Sequence, residues 1–377
     1  MTESIIFVGL DSHKERISVA LAESTGGREL RYLGEIANTT EAVGALVDKL
    51  AHKDARLEFC YEAGPCGYGL YRQITGLGHG CMVVAPSLIP RRPGERVKTN
   101  RRDAEMLARL HRAGELTAVW VPDPAHEAMR DLVRAREAAC EDLRRARQRL
   151  GGFLLRHGRI YMGRSRWTKA HRAWLGRQRF DHCAQQIVFQ DYLETINDDA
   201  GRHGRLLGEI ETLLPSWTLA PVVDAFQLMR GVALIAAVTA VAEVGDFTRF
   251  HSPQQLMVYL GLVSSENSTG RKVRRGAITK AGNTRVRRVL VEGAWSYRLP
   301  ARIAEKDAER WNAAPKAVRE IAWKAQVRLC ARYRRLVAKG KHKNVVTVAI
   351  ACEMAGFLWA IAQQVQPAST TTPPKTA

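Results

Sequence analysis

The 377-residue sequence is short of acidic side chains, with 38 Asp and Glu against 58 Lys and Arg and a formal charge of +20. It has seven cysteines, an odd number, with no Cys-x-x-Cys pair and no zinc-finger spacing, which excludes a disulfide framework and a structural zinc site. No basic and apolar secretory signal opens the chain. The longest apolar run, Val345 to Ala362, has Glu353 at its centre, so we expect a buried helix and no membrane span.

What the sequence does contain is enough apolar material for real cores. Apolar residues make up 46% of the chain, and its length predicts two or three domains. Repulsion among so many positive charges destabilises a compact chain, and a bound polyanion offsets that repulsion most directly. We therefore expect a nucleic-acid partner. An anionic membrane and a merely solvated basic surface are the alternatives.

Three acidic residues fall in order on predicted elements of the first hundred or so residues. Asp11 lies at the end of a β-branched strand, Glu62 ends a later alternating strand, and Asp103 lies in the first turn of a helix. Asn100 precedes Asp103 by one turn on the same helix face. Hard oxygen ligands from separate elements suit two Mg²⁺ ions, which can activate a nucleophile at a phosphodiester. The alternative is that each acid is a surface charge or a helix cap.

Residues 125–215 are charged and predicted to be helical. Two seams of residues spaced by three and four run through this region, with Arg136 and His203 at polar positions within them. A basic stretch at 158–179 separates the seams. The pattern favours a coiled-coil arm that pairs with a second chain, and packing within one chain is the alternative.

The C-terminal third carries two acid-free basic runs. Residues 271–290 contain eight Lys and Arg, as do residues 324–343, where Trp323 and Tyr333 are placed to stack on bases. For the second run, the wet face of an amphipathic helix is the alternative. Residues 225–262 predict two helices around Gly245-Asp246, typical either of a helix-hairpin-helix element or of packing by small residues.

Four segments resemble blocks of one known family. VGLDSHK, YEAGPCGYGLYR and VKTNRRDAEMLARL are similar to the N-terminal blocks of the DEDD insertion-sequence transposases, the one-ten family that includes Piv-type DNA invertases. GLVSSENSTGRKVRRGAITKAGNTRVRRVL resembles the C-terminal block of the same family. The resemblance spans roughly residues 3 to 363.

The resemblance implies a fold and a division into domains. We expect an α/β RNase H-like (RuvC-like) metal domain at 1–124, a helical coiled-coil arm at 125–215 and a mostly α transposase domain at 216–365. A Pro/Thr-rich tail at 366–377 is predicted to be disordered.

The resemblance also implies site residues. Asp11, Glu62 and Asp103 match the family's acids, whereas Asn100 stands where the third acid is expected and removes one negative charge from the metal site. A serine of the C-terminal block is the family's nucleophile and forms a phosphoserine link to DNA; Ser268 fits best, with Thr269 and Ser265 as alternatives. We expect the neighbouring cations to bind phosphates. These are Arg271, Lys272, Arg274, Arg275, Lys280, Arg285, Arg287, Arg288, Arg101 and Arg102.

The expected function is that of a transposase or site-specific DNA recombinase using Mg²⁺ and Ser268. The implied partners are donor and target DNA, a structured guide RNA encoded by the element, and further copies of the chain in a homodimer or homotetramer formed through the arm. The expected location is the cytoplasm, at the nucleoid. A water-dependent structure-specific nuclease and an inactive nucleic-acid-binding remnant are the alternatives, and transposition and inversion are not separated.

Overall fold

The computed structural model describes residues 4–24, 30–51, 55–90, 99–270 and 272–366. Two compact units make up the chain, Met1–Val121 and Pro122–Ala377. The predicted arm therefore falls in the same unit as the C-terminal domain. Arg271 and nearly all of the predicted disordered tail lie outside the described residues.

In its described residues, the first unit has a mixed five-stranded sheet and three α-helices. Its strands are β1 (Ile5–Ser12), β2 (Arg16–Glu23), β3 (Leu30–Ala37), β4 (Arg56–Glu62) and β5 (Gly80–Val84). Its helices are α1 (Thr40–Ala51), α2 (Gly69–Gly76) and α3 (Asn100–Arg112). The strand order is β3-β2-β1-β4-β5, with β1 antiparallel to β2 and parallel to β4. An α/β N-terminal domain was predicted, and this sheet agrees with it.

Strand β3 was not predicted from the sequence. None of its residues is fully buried, so it lacks the alternating apolar pattern that marks a half-buried strand. Gly34 has a φ of +107°, and the pairing with β2 shifts register between Val19 and Ala20. An edge strand with a bulge gives little sequence signal.

Helix α3 lies directly on β1 because Gly9 has no side chain. A Cβ atom at Gly9 would overlap the backbone of Ala104 and Ala108 on α3. Small residues therefore line the contact on both sides, including Ala20 and Ala22 of β2. This close approach fixes the start of α3 near the end of β1.

His111 provides a pH-dependent term in the stability of this unit. The ring lies edge-on to Phe7 with 5.2 Å between ring centroids, and its Nδ1 has no hydrogen-bond partner among the described residues. Burial lowers the pKa of His111 to about 4, from an ordinary value of 6.5. His111 is therefore protonated near pH 6.5 in the unfolded chain but only near pH 4 in the folded chain.

We expect the free energy of unfolding to fall by about 3 kcal/mol between pH 6.5 and pH 4 through this group alone. Stability from neutral His111 is complete above pH 6.5 and is lost as the pH falls. Urea unfolding of His111→Phe should show a correspondingly shallower loss, and His251→Phe, at an exposed histidine, should match the wild type. Equal losses in His111→Phe and wild type would contradict this account.

The second unit is helical apart from one hairpin. Its helices are α4 (Pro124–Arg156), α5 (Lys169–Gly176), α6 (Cys183–Leu213), α7 (Ala220–Phe226), α8 (Leu234–Val244), α9 (Pro253–Tyr259), α10 (Thr284–Ala294), α11 (Ala308–Ala313), α12 (Lys316–Ala338) and α13 (Lys343–Val365). Strands β6 (Ser264–Glu266) and β7 (Arg275–Ile278) pair antiparallel. The sequence did not predict this hairpin, since both strands are short and almost entirely exposed.

Helices α4 and α6 pair antiparallel within one chain. Met129 of α4 shares a core with Ile210 of α6, whereas Phe153 at the far end of α4 contacts Tyr192 with ring centroids 5.6 Å apart. Seam residues such as Leu150 are thereby buried inside the chain. The two seams therefore pack against each other within one chain, which was the alternative to pairing with a second chain. The end of the pair that contains Met129 and Ile210 packs in the C-terminal core. We call α4, α5, α6 and the segments between them the arm.

Helix α8 is buried over its length from Ala237 to Val244. It ends at Gly245, whose φ is +74°, and Ser252 begins α9 by accepting a hydrogen bond from the Gln255 N–H at 3.4 Å. Both predicted helices are therefore present around Gly245-Asp246. The burial of α8 by small side chains matches the packing alternative for this element.

In the described part of the chain, α13 is the one helix long and apolar enough to cross a membrane, and half of that stretch is buried in the unit. It packs against α7, α9, α10 and α12, so it is a core helix, as predicted. Glu353 pairs with Arg328 and Arg332 of α12. Gln366, predicted as the first residue of the disordered tail, donates instead to Asp246 Oδ1 at 3.1 Å.

Candidate active site

Asp11 and Glu62 lie at neighbouring strand ends. Leu10 of β1 pairs with Tyr61 of β4, and both side chains are buried in the core on one face of the sheet. Since side chains alternate along a strand, the following pair, Asp11 and Glu62, points to the opposite face, where α3 packs. Asp11 is only 8% exposed, and Glu62 is half-buried.

Helix α3 contributes the third predicted acid. Asp103 is half-buried in its first turn, next to Ala104, whose backbone lies over Gly9 two residues before Asp11. Asn100 is the first residue of the helix and is exposed. The elements carrying Asp11, Glu62 and Asp103 therefore meet on one side of the sheet.

His13 is a further member of this group that the sequence reasoning missed. Its Nε2 lies 3.1 Å from Asp11 Oδ2, so an N–H at that nitrogen donates to the carboxylate. The residue follows Asp11 by two positions, in the tight connection between β1 and β2. The signal was present in the motif VGLDSHK, but a lone histidine at a strand end has no distinctive pattern.

The donor set suits a divalent metal in its chemistry. Carboxylates and an amide oxygen are the ligands that Mg²⁺ prefers, and these come from the ends of β1 and β4 and from α3. Across the described residues, however, no three His, Cys, Asp or Glu side chains lie close enough together to hold an ion. Binding would therefore need these carboxylates to draw together around it.

Ser268 lies at the tip of the β6–β7 hairpin. The Asn267 N–H donates to Arg274 O at 2.9 Å, and Thr269 and Lys272 exchange two backbone hydrogen bonds of 3.1 Å. Gly270 adopts a φ of +57°, which lets the chain reverse. The tip is exposed, so a phosphodiester can approach it.

The Ser268 hydroxyl is held between two groups. Its Oγ donates to Glu266 Oε1 at 2.9 Å and accepts from the Arg274 N–H at 3.2 Å. The hydrogen bond from Ser268, followed by that from Arg275, lowers the pKa of Glu266 below its usual range. Glu266 therefore stays ionised near neutral pH. Sequence reasoning missed this residue, although it is an acid two positions before the serine in an otherwise basic block.

The alternative hydroxyls have other surroundings. Ser265 Oγ donates to the Ala277 carbonyl at 3.1 Å, across the paired strands. The backbone of Thr269 closes the turn with Lys272. Of the three predicted candidates, Ser268 is the one held by a carboxylate.

The structure divides the predicted phosphate-binding cations into two groups. Arg285 and Arg288 of α10 pair with Glu137 of α4, at 2.5 and 2.9 Å, and Arg287 donates to the carbonyls of Leu260 and Ala281. These three arginines hold α10 within the fold. Those on and after the hairpin tip stand exposed: Lys272, Arg274 and Lys280. Arg275 pairs with Glu266, and Arg101 pairs with Glu105.

A buried carboxylate anchors the same α4–α10 contact. Glu243 of α8 accepts from Arg134 at 2.7 and 2.9 Å and from Asn283 at 2.7 Å. Burial raises its pKa, but these hydrogen bonds and the charge of Arg134 outweigh burial, so the net pKa is lowered. The start of α10 is thereby tied to the arm.

Base stacking at the second basic run is only partly possible. Tyr333 is 5% exposed in the core of the unit, so the prediction that it stacks on bases is wrong, because an apolar face of α12 packs it inward. Trp323 is 42% exposed and remains accessible. Arg328 and Arg332 are engaged by Glu353.

Two family models match the chain. One, described as "Transposase IS116/IS110/IS902 family", matches residues 223–307, which include Ser268. The other, described as a transposase and named for the DEDD transposases of IS110, matches residues 8–158, which include Asp11, Glu62 and Asp103.

Relatives match over nearly the whole chain. A Sinorhizobium fredii protein named as transposase y4qE is 55% identical over 358 residues, which cover 95% of this chain and 88% of that protein. The transposase for insertion sequence element IS1533 of Leptospira borgpetersenii is 31% identical over 340 residues, 89% of this chain and 98% of its own length.

These matches make the chain a transposase, an enzyme that cleaves and transfers DNA strands. It belongs to the IS110/IS116 family of DEDD insertion-sequence transposases. The family predicted from the sequence motifs is thereby confirmed.

Proposed function

We propose that this transposase cuts and rejoins DNA through a covalent phosphoserine formed on Ser268. The observation that carries the proposal is the exposed Ser268 hydroxyl donating to the ionised Glu266 at 2.9 Å. A serine hydroxyl is a weak nucleophile at neutral pH and needs a neighbouring base or a metal. The hairpin holds a carboxylate where such a base would be needed.

The reaction has two balanced steps. The Ser268 oxygen forms a bond to phosphorus, the bond from phosphorus to a bridging oxygen breaks, and one DNA end leaves as a hydroxyl. The serine proton leaves along its hydrogen bond to Glu266 Oε1 and passes from there to the departing oxygen. A DNA hydroxyl then attacks the phosphorus, and the bond from phosphorus to the Ser268 oxygen breaks. The proton of that hydroxyl returns through Glu266 to the Ser268 oxygen, which restores the serine and joins the new strand.

Asp11, Glu62, Asp103 and Asn100 would hold Mg²⁺ in an RNase H-like first unit. A bound divalent ion would supply neutralisation of the phosphate charge and a lowered pKa for a nucleophile. His13 donates to Asp11 and keeps that carboxylate oriented. Lys272, Arg274 and Lys280 would bind phosphates on either side of the cut.

Guide RNA and oligomer formation complete the proposal. Exposed cations at the hairpin suit backbone contacts, and a paired guide RNA would then supply sequence recognition. The α4–α6 seam is buried within the chain, so a dimer or tetramer would use outer faces of the arm, where Ile187 and Val188 are exposed. Purified dimers or tetramers carrying one discrete RNA would support this, and monomers with random fragments would contradict it.

The test of the serine mechanism is trapping. Full-length protein with Mg²⁺ and DNA carrying the ends of the element should remain attached to the DNA after denaturation in detergent. Cleaved DNA with no attached protein would instead favour a water-dependent nuclease. Protein that binds DNA and cuts nothing would favour an inactive remnant.

Glu266→Gln is expected to slow strand cleavage about 100-fold. The amide oxygen can still accept the Ser268 hydrogen bond but is a far weaker proton acceptor. Single-turnover cleavage rates measure the effect, with the exposed Glu309→Gln as the matched control. Equal rates in Glu266→Gln and wild type would remove Glu266 from the proposed mechanism.

A further inference from the structure

The arm contains a cationic cavity that the transposase chemistry does not use. It has a volume of about 880 Å³ and lies among α4, α6 and the segment around α5. Its lining includes five arginines, two histidines and three aromatic rings, and none of its lining residues is acidic. By contrast, Glu137 and Glu353 pair with arginines of the two predicted basic runs.

Several polar atoms in the cavity wall lack partners. The Nε atoms of Arg136 and Arg147 and the Nε2 of His203 are shielded from solvent and have no hydrogen-bond partner among the described residues. Burial, then the charges of Arg136 and Arg147, lower the pKa of His203. Arg144 of the wall pairs with Glu141, but Arg136 and Arg147 have no carboxylate partner among the described residues, so a bound anion would offset their charge. Arg136 and His203 are the two polar positions that interrupt the predicted seams.

Aromatic rings lie beside these cations. The Arg147 guanidinium lies over the Trp167 ring, 4.7 Å from its centroid. Trp174 stacks on His171 with centroids 5.7 Å apart, and Tyr161 packs against both. A phosphate makes no stacking contact with aromatic rings, whereas a nucleic-acid base stacks on their faces.

We propose that this arm cavity binds one unpaired nucleotide of single-stranded nucleic acid. Its phosphate would lie against Arg136 and Arg147, and its base against the Trp167 side of the wall. A single nucleotide fits within the volume of the cavity, and a base stacked within a duplex has no free face to lay against its wall. The site is separate from Ser268 and the acidic residues, and it goes beyond the proposed cleavage function.

The test is binding of short labelled oligonucleotides to the full-length chain, followed by fluorescence anisotropy. RNA and DNA single strands of one sequence show which source is preferred, and a tight complex with either one supports the site. Arg147→Gln should weaken single-strand binding about tenfold. Arg149→Gln, which removes the same charge from an exposed position on the same helix, should change it less than about twofold. Trp167→Ala should weaken binding, and Trp167→Phe should restore most of it.

Abasic oligonucleotides decide whether a base is read. They should bind Trp167→Ala and wild type alike and more weakly than intact strands, whereas Arg147→Gln should still weaken them because the phosphate remains; equal affinity of wild type for intact and abasic strands would overturn the proposal. Equal affinities of Arg147→Gln and Arg149→Gln would also overturn it, provided that both variants melt like the wild type. The covalent adduct is a separate readout. A chain that forms the adduct but binds intact and abasic strands equally would contradict nucleotide binding in the arm cavity and leave the proposed serine mechanism in place.

Discussion

Replacing Ser268 by alanine is expected to abolish covalent attachment of the chain to DNA and to lower strand cleavage by at least about 1,000-fold. The hydroxyl is the only atom that the substitution removes. The backbone of the turn closes through Thr269 and Lys272, and Ser268 lies on an exposed tip, so folding should be unaffected. The measurement is a denaturing gel of end-labelled DNA after reaction with full-length protein and Mg²⁺.

Ser265→Ala and Thr269→Ala are the matched controls. Ser265 donates its hydroxyl to the Ala277 carbonyl, and neither residue shows a hydrogen bond to Glu266. Both variants should therefore keep the adduct within about tenfold of the wild type, because they leave the Ser268–Glu266 pair intact. An adduct that persists in Ser268→Ala and disappears in one of the other two would reassign the nucleophile.

Asp11→Asn is expected to reduce Mg²⁺-dependent cleavage by at least about 1,000-fold. The substitution keeps the shape of a side chain that is only 8% exposed, and it removes the negative charge of a proposed metal ligand. The remaining oxygen can still accept from His13, so the local packing should hold. Cleavage rates across a Mg²⁺ titration measure the effect, and DNA binding should be retained.

Asp48→Asn provides the control for this charge change. Asp48 is an exposed carboxylate on α1 of the same unit, and its loss should leave cleavage within about twofold. If Asp11→Asn cleaves as well as Asp48→Asn at every Mg²⁺ concentration, the acidic residues are not the metal site.

The sequence predicted the first unit well where burial imposes a pattern. Glu62 ends β4 as its alternation indicates, and Asp103 lies in the first turn of α3 as predicted. In such elements the spacing of the apolar residues predicts which face is buried. β3 and the β6–β7 hairpin escaped prediction because neither has a buried face of its own.

The contacts of the candidate site were harder to predict, because their partners come from distant positions. Arg285 looked like a phosphate ligand in an acid-free run, yet it pairs with Glu137, which lies 148 residues earlier. Local acid-free composition therefore overstated the free charge of 271–290. The Ser268–Glu266 pair is the opposite case, since its members are two positions apart and the conformation of the hairpin turn brings their side chains together.

Mass spectrometry of the trapped protein–DNA adduct tests the central claim most directly. After nuclease digestion of the DNA and proteolysis, the peptide spanning residues 264–270 should carry a nucleotide phosphate on Ser268. The same digest of Ser268→Ala should contain only the unmodified peptide. A wild-type chain that cleaves its DNA and yields no nucleotide-bearing peptide, or one modified at another residue, would contradict the proposed mechanism.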